Sequence, residues 1–335
     1  MNNNENISLM DIKWERHPVN PVLPPIKKSD YDCGCCMNPF AVVDDDVVRL
    51  FYAGADADGN RRICLATAPL SDLTDWKRHG PLFECGAEGS FDDKWCVLPC
   101  VHKFGNRWHL YYSGLESSEG LGLQAFPGIG LAVSDDGVNF SRYSDDPVIT
   151  GDAISEYPNN RGIAGGGTIL EDIQEDGSIV YRMYYTLAVG KPNKDMRKDQ
   201  EKHCAVCFSR DGITWTDHSI VMSPRAEVMR EDAAVAAPYV WRDSSGLYRM
   251  IYCPIGTQWG FYSLAQAVSK DGFNWYRGET DQNIVLTPDT SNPDSWEHQM
   301  VEYPCVLQTE KGLTLFYCGN GYGSTGIGVA TAECK

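Results

Sequence analysis

Hydrophobic and polar positions recur along the chain in a fixed order. An aromatic-rich run appears at 49–54, 108–114, 182–186, 249–253 and 315–319. A run of small apolar residues follows each one, at 63–67, 129–133, 204–208, 264–268 and 327–331. Runs this short, rich in Tyr, Phe, Val and Ile and bounded by Gly and Asp, read as strands. Next comes a turn that feeds an aromatic: Ser134-Asp-Asp-Gly to Phe140, Ser209-Arg-Asp-Gly to Trp215, and Ser269-Lys-Asp-Gly to Trp275. A degenerate copy ends at Trp76. Asp-Gly is a strong hairpin signal. Each copy opens on a strand marked by Pro39, Pro99, Pro238 or Pro304, with Gly167 in that place in the third copy. Repetition at a fixed period predicts a repeat architecture. Four short strands per copy predict an all-β, five-bladed β-propeller.

The two ends agree with this reading. The last copy stops after its third strand, at Lys335, and lacks the Asp-Gly-aromatic strand. The N-terminus carries an unpaired one, in which Trp14 and Arg16 match Trp76 and Arg78, and Phe140 and Arg142. The N-terminal strand is therefore expected to become the outer strand of the last blade, which also removes exposed sheet edges. Residues 1–335 are read as one propeller domain, with 1–10 a flexible tail.

Composition narrows the function classes. The net charge is −17, which argues against nucleic acid or an anionic membrane as partner, since both require cationic contacts. No apolar run reaches the roughly 18 residues a membrane span needs. The polar start MNNNENISLM is unlike a signal peptide. With 13 cysteines in no disulfide-like spacing, the expectation is a cytoplasmic protein with free thiols.

In a blade of alternating strands, the loop leading into strand one and the hairpin joining strands two and three reach the same face. That face surrounds the mouth of the ring, where a ligand site is expected. Seven residues before each strand-one marker stand Asp32, Asp92, Asn160, Glu231 and Glu297, and six before stand Cys33, Asp93, Arg161, Asp232 and His298. Acids and amides of this kind also cap turns in any protein. Their common phase favours a shared site. The candidate catalytic residues are Asp92, Glu302, Asp32, Glu231 and Asp232. Glu302 stands out because it lies inside strand one, where burial would raise its pKa and suit it to act as an acid. Asn38, Asp93, Trp95, Arg161, Arg230, Trp259, His298, Tyr303, Asn320 and Tyr322 are the candidate substrate-binding residues. Carboxylates bond sugar hydroxyls and aromatic faces stack on sugar C–H surfaces. Arg161 and Arg230 can grip a carboxylate or phosphate or pair with the acids. Cys33, Cys35 and Cys36 fit no standard zinc spacing, and neither a metal nor a cofactor is expected.

These repeats resemble the five-bladed propeller glycosidases, including glycoside hydrolase families 32, 43 and 130 and uncharacterised bacterial relatives. Ser90-Phe-Asp92, Val133-Ser-Asp-Asp-Gly137, Trp296 through Tyr303-Pro304, and Gly319-Asn-Gly-Tyr-Gly-Ser-Thr-Gly326 carry the likeness. The resemblance implies acid/base cleavage of a glycosidic bond. The chain departs from the family-43 pattern, with Asn38 at the base position, Cys100 at the modulating acid, and Gly165-Gly166-Gly167 where the acid Glu belongs. The expected function is glycosidase-like chemistry on a small glycoside or modified sugar in the central funnel. The alternatives are a sugar-binding propeller without hydrolysis, and a biosynthetic enzyme reusing the pocket.

Overall fold

The computed structural model describes residues 12–117, 126–154, 162–189, 201–258, 262–279 and 281–333. The chain is all-β among these residues; its one short α-helix is Asn320–Gly323. Strands follow one another in antiparallel groups. Cys35–Asp44, Val47–Ala55, Arg61–Pro69 and Lys77–Pro81 form the first. Trp95–Phe104, Arg107–Leu115 and Gly128–Ser134 form the second, with Ser141–Arg142 and Ile149–Thr150 on its outer edge. Ile163–Ile173, Ile179–Val189, Glu201–Ser209 and Thr216–Met222 form the third. Ala234–Arg242, Tyr248–Ile255, Leu264–Ser269 and Ile284–Leu286 form the fourth. The last contains Glu302–Thr309, Gly312–Cys318 and Ile327–Ala332. The N-terminal Glu15–Arg16 completes it, pairing with Thr331 and Ala330.

Each inner strand carries the same irregularity. Its register slips at Met37/Phe40, Val97/Cys100, Ala164/Thr168, Ala236/Tyr239 and Glu302/Cys305. Asn38, Leu98, Ala237 and Tyr303 sit there with φ of 54°, 56°, 49° and 54°. This is a bulge, and the Pro after it has no N–H to lose from the ladder. In the third group a Cβ at Gly167 would collide with the Tyr184 carbonyl, so the Pro marker is missing there for a steric reason.

Contacts between inner strands and their neighbours run round the molecule and return. The Leu98 amide donates to Asn38 Oδ1 (3.3 Å), Gly165 to Ser113 Oγ (2.6 Å), and Ala237 to Thr186 Oγ1 (2.8 Å). Tyr303 donates to Cys253 Sγ (3.3 Å), and Ala41 to Cys305 Sγ (3.1 Å). At the other end of the strands, second-strand side chains reach the Asp-Gly turn of the next group. The Tyr111 hydroxyl donates to the Gly212 carbonyl (2.5 Å), Tyr184 to Gly272 (2.9 Å), and Arg49 to Gly137 (3.3 Å). The turns are built alike. Asp136 Oδ1 accepts the amides of Val138 and Asn139, each at 2.8 Å, and these bonds hold its carboxyl well below the usual range.

Candidate functional site

The carboxylates in common phase are tied into one recurring cluster inside the strand groups. Asp32 accepts from the Tyr52 hydroxyl (2.9 Å) and from Arg78. Asp92 accepts from Tyr112 (2.9 Å) and from Arg142 Nε and Nη2 (3.0 and 2.8 Å). Glu231 accepts from Tyr252 (2.6 Å), Arg277 (3.0 Å) and Arg225. Glu297 accepts from Arg16 (2.7 Å). In each case the acid precedes strand one and a tyrosine of strand two stands beside it, Tyr317 for Glu297. Arg16, Arg78 and Arg142 lie on the outer strand, and Arg277 follows Tyr276, which bridges to Val268. One buried cluster thus ties three strands of a group together. Unlike the others, the third group pairs Tyr185 with His218 Nδ1 (2.9 Å), and Asn160 lies outside the described residues. Arg161 and Trp259 also lie outside them.

Asp93 and Asp232 do a different but matched job. Asp93 accepts the Ser117 amide (2.7 Å) and hydroxyl (2.8 Å). Asp232 accepts the Thr257 amide and hydroxyl, both at 2.6 Å. Each fixes the start of the hairpin after its own second strand. Cys35 and Cys36 are buried, and no group of three or more His, Cys, Asp or Glu among the described residues is arranged to hold a metal.

Glu302 contrasts with all of these. It is 0% exposed, and neither carboxyl oxygen has a hydrogen-bond partner among the described residues. The matching inner-strand positions, two before each marker, hold Met37, Val97, Gly165 and Ala236. Burial pushes Glu302 well above the ordinary carboxyl range, against the opposing pull of the Lys202 and Arg61 cations. Lys202 is itself buried. Its ammonium donates to the Tyr262 hydroxyl (2.6 Å) and lies 5.2 Å from that ring's centroid. Desolvation lowers its pKa to about 8. Tyr262 meets Tyr322 edge to face at 6.3 Å.

The axial side of this cluster is narrow. Residues 38–40, 98, 99, 167, 237, 239, 303 and 304 line one small cavity of about 20 Å³, space for a single water molecule. A sugar ring does not fit there. The Asn38 side-chain nitrogen, at the cavity wall, is another buried polar atom without a partner among the described residues. Buried groups left unsatisfied this way mark a place where a polar ligand can complete the hydrogen bonding.

Sequence reasoning singled out Glu302 but missed Lys202 and Arg61. The strand register supplies the signal. Ala55 pairs with Arg61 and Ala188 with Lys202, so the two cations occupy the same place in their groups. Trp95 lies beside Arg61, whose guanidinium is 3.9 Å from its ring centroid. Arg230 and His298 meet in a cleft of about 350 Å³ between the fourth and last groups. Asn320 Oδ1 accepts the Gln299 amide (2.6 Å), which ties the last hairpin to that cleft.

Comparison with known proteins agrees with this architecture. No family model matches the sequence. The uncharacterised protein Rv1502 of Mycobacterium tuberculosis is 29% identical over 87% of this chain and 90% of its own. Among solved structures, a glycosyl hydrolase from Bacteroides ovatus superposes with a TM-score of 0.68 at 16% identity, over 96% of this chain and 93% of that one. A GH130 structure is similar at 0.69 and 16%, over 96% and 93%; it comes from work on mannoside phosphorylases and on glycoside hydrolases targeting β-1,2 mannosidic linkages in Candida mannan. A thermostable family-43 glycoside hydrolase is similar at 0.62 and 17%, over 89% and 88%. The resemblance expected from the repeats thus holds for the fold, which is that of the glycoside hydrolase propellers.

Proposed function

We propose that the strand groups are the five blades of a single propeller domain, and that its mouth binds a small sugar-derived substrate whose glycosidic bond is cleaved or transferred. Glu302 is the general acid in this reading. One observation carries it: a fully buried carboxyl with both oxygens unpartnered among the described residues, at an inner-strand position that is apolar or glycine in every other group. A carboxyl held neutral by burial can protonate a leaving oxygen at neutral pH. Lys202 and Arg61 then stabilise the carboxylate left behind. Asp32, Asp92 and Glu231 already have arginine and tyrosine partners, and Asp232 is bound to Thr257. The proton-transfer role is therefore assigned to Glu302 alone. The free thiols of the described cysteines support a reducing, cytoplasmic setting.

Hydrolysis by acid and base calls for a second carboxylate. Among the described residues no other buried carboxylate has both oxygens unpartnered. That observation favours one second reading, a propeller that binds sugar without hydrolysing it. A glycoside panel assayed with wild type and Glu302→Gln separates the two. The enzyme reading expects turnover in the wild type and a loss of about 10²–10⁴-fold in the variant, with ligand binding retained. Unchanged turnover in the folded variant removes Glu302 from the mechanism. Ligand binding without turnover in the wild type establishes the second reading.

A further inference from the structure

The seam between the first and second groups holds a pair of cysteines that the sugar site does not use. Cys85 lies in the loop from Lys77–Pro81 to Trp95–Phe104, and Cys96 follows Trp95 in the latter strand. Cys85 Sγ reaches the carbonyls of Arg61 and Lys94, each at 3.5 Å. Cys96 Sγ lies 3.6 Å from Asp92 Oδ2. Arg142 Nη2 meets both sides of the pair. It donates to the Glu84 carbonyl (2.6 Å) and stands 3.8 Å from Cys96 Sγ. The residue before Cys85 and the Cys96 thiol thus share one nitrogen, and the two thiols are hydrogen-bonded to each other.

The first group repeats this arrangement without the second thiol. Cys36 takes the place of Cys96, 3.8 Å from Asp32 Oδ2 and 3.4 Å from Arg78 Nη1. Arg78 Nη2 donates to the Pro24 carbonyl as Arg142 does to Glu84, which puts Pro25 in the place of Cys85. The brace itself therefore does not require a cysteine there. Cys85 and Cys96 also differ in access. Cys96 is 0% exposed, and burial pushes its thiol well above the ordinary range. Cys85 is half-buried, and among the described cysteines only Cys33 shares that access. The hydrogen bond from Cys96, with the Arg62 and Arg142 guanidiniums nearby, holds Cys85 below the ordinary thiol range against desolvation and Asp92. A reachable thiol that ionises readily, with a second thiol in contact, is the arrangement in which oxidation ends at a disulfide and not at an irreversible acid.

We propose that Cys85 and Cys96 form a reversible oxidation site whose oxidant is a hydroperoxide. The Cys85 thiolate attacks one peroxide oxygen and the O–O bond breaks. The leaving oxygen takes up the proton that Cys85 released, and Cys85 becomes a sulfenic acid. The Cys96 sulfur then attacks the Cys85 sulfur, the S–O bond breaks, and hydroxide leaves with the Cys96 proton as water. Two thiols lose two electrons and the peroxide gains them. The disulfide fastens the loop to the inner strand beside Trp95, on which the Arg61 guanidinium rests. This site stands apart from Glu302 and does not depend on the sugar reading.

Peptide mapping of the reduced full-length protein after equimolar hydrogen peroxide, under non-reducing conditions, tests it. A Cys85–Cys96 linked peptide should appear, lighter by two hydrogens than its separate parts, and dithiothreitol should abolish it. Cys33 should stay a thiol and so control for access. Cys96→Ser should stop the reaction at a sulfenic acid on Cys85, trapped by dimedone, and Cys85→Ser should leave Cys96 a thiol. The wild-type map carries the test should Cys96→Ser, at a buried position, fold poorly. The proposal is overturned if Cys85 stays a thiol, if it passes to a sulfinic acid beside a free Cys96, or if it links to another cysteine or to a second copy of the chain.

Discussion

Glu297 and Glu302 stand five positions apart, both buried, and the fold treats them in opposite ways. Glu297 Oε1 meets Arg16 at 2.7 Å. Glu302 has cations only at longer range and, among the described residues, no hydrogen bond to either oxygen. The contrast extends to the paired set of Asp32, Asp92 and Glu231, and it shows that burial of an acid is no sign of function by itself. A buried carboxylate with an arginine and a tyrosine is a cross-brace. One with neither bears the full cost of desolvation, and such sites are where catalytic groups are found.

Substitutions should fall on opposite sides of this contrast. The largest stability effect is expected for Arg142→Met, which leaves Asp92 charged and buried without its partner. It should cost about 3–5 kcal/mol, measured by urea unfolding, while activity per folded molecule stays near wild type. A loss below about 1 kcal/mol would show that the braces are marginal and would weaken the distinction.

Glu302→Gln should go the other way and hold or raise stability at neutral pH, by on the order of 1 kcal/mol. The sign follows from protonation. The folded-state pKa of Glu302 is raised above the unfolded value, so the native state holds an extra proton in between. The associated stability is complete below the unfolded carboxyl pKa and is lost as pH rises through the folded one. Gln does not titrate. The variant's advantage over wild type should therefore grow as pH rises above the ordinary carboxyl range in denaturation series.

His218→Ala probes the brace that has no charge pair. The hydrogen bonds to Tyr185 and to the Trp215 carbonyl are lost, so the cost should be about 1–3 kcal/mol, under that of Arg142→Met. The mildest prediction concerns Lys202. Its positive charge pulls the Glu302 pKa down. Lys202→Met should move the alkaline limb of the kcat/KM profile to higher pH, and movement to lower pH would contradict the geometry.

Much of the fold can be read directly from the residues. The aromatic runs, the Asp-Gly turns and the Pro-marked strands appear where the repeats put them, and Arg16 pairs beside Val329 as the unpaired N-terminal copy implies. The phase of the acids is real too, but its meaning is harder to see, because an acid before a strand looks the same whether it meets a substrate or an arginine. The discriminating signal stands two residues after each outer aromatic, at Arg16, Arg78, Arg142 and Arg277. The third copy has Asp217 at that place and Asn160 at the acid place, so charge and counter-charge are missing together. Glu302 is visible as the one carboxylate among Met37, Val97, Gly165 and Ala236. Lys202 is not, because it follows a basic run that reads as surface, and its kinship with Arg61 depends on a register that only the paired strands reveal.

The pairing of Arg16 with Ala330 sets an order on assembly. A polypeptide growing from its N-terminus has made the Glu15–Arg16 segment long before its binding site on Ile327–Ala332 exists. Until those late residues leave the ribosome, Glu297 has no guanidinium and the final sheet has no outer edge. Earlier groups can form as they emerge, but the lock between the first and last parts of the sequence is a post-synthetic event. Truncation ahead of Ala330 would deprive the protein of a clasp rather than a tail.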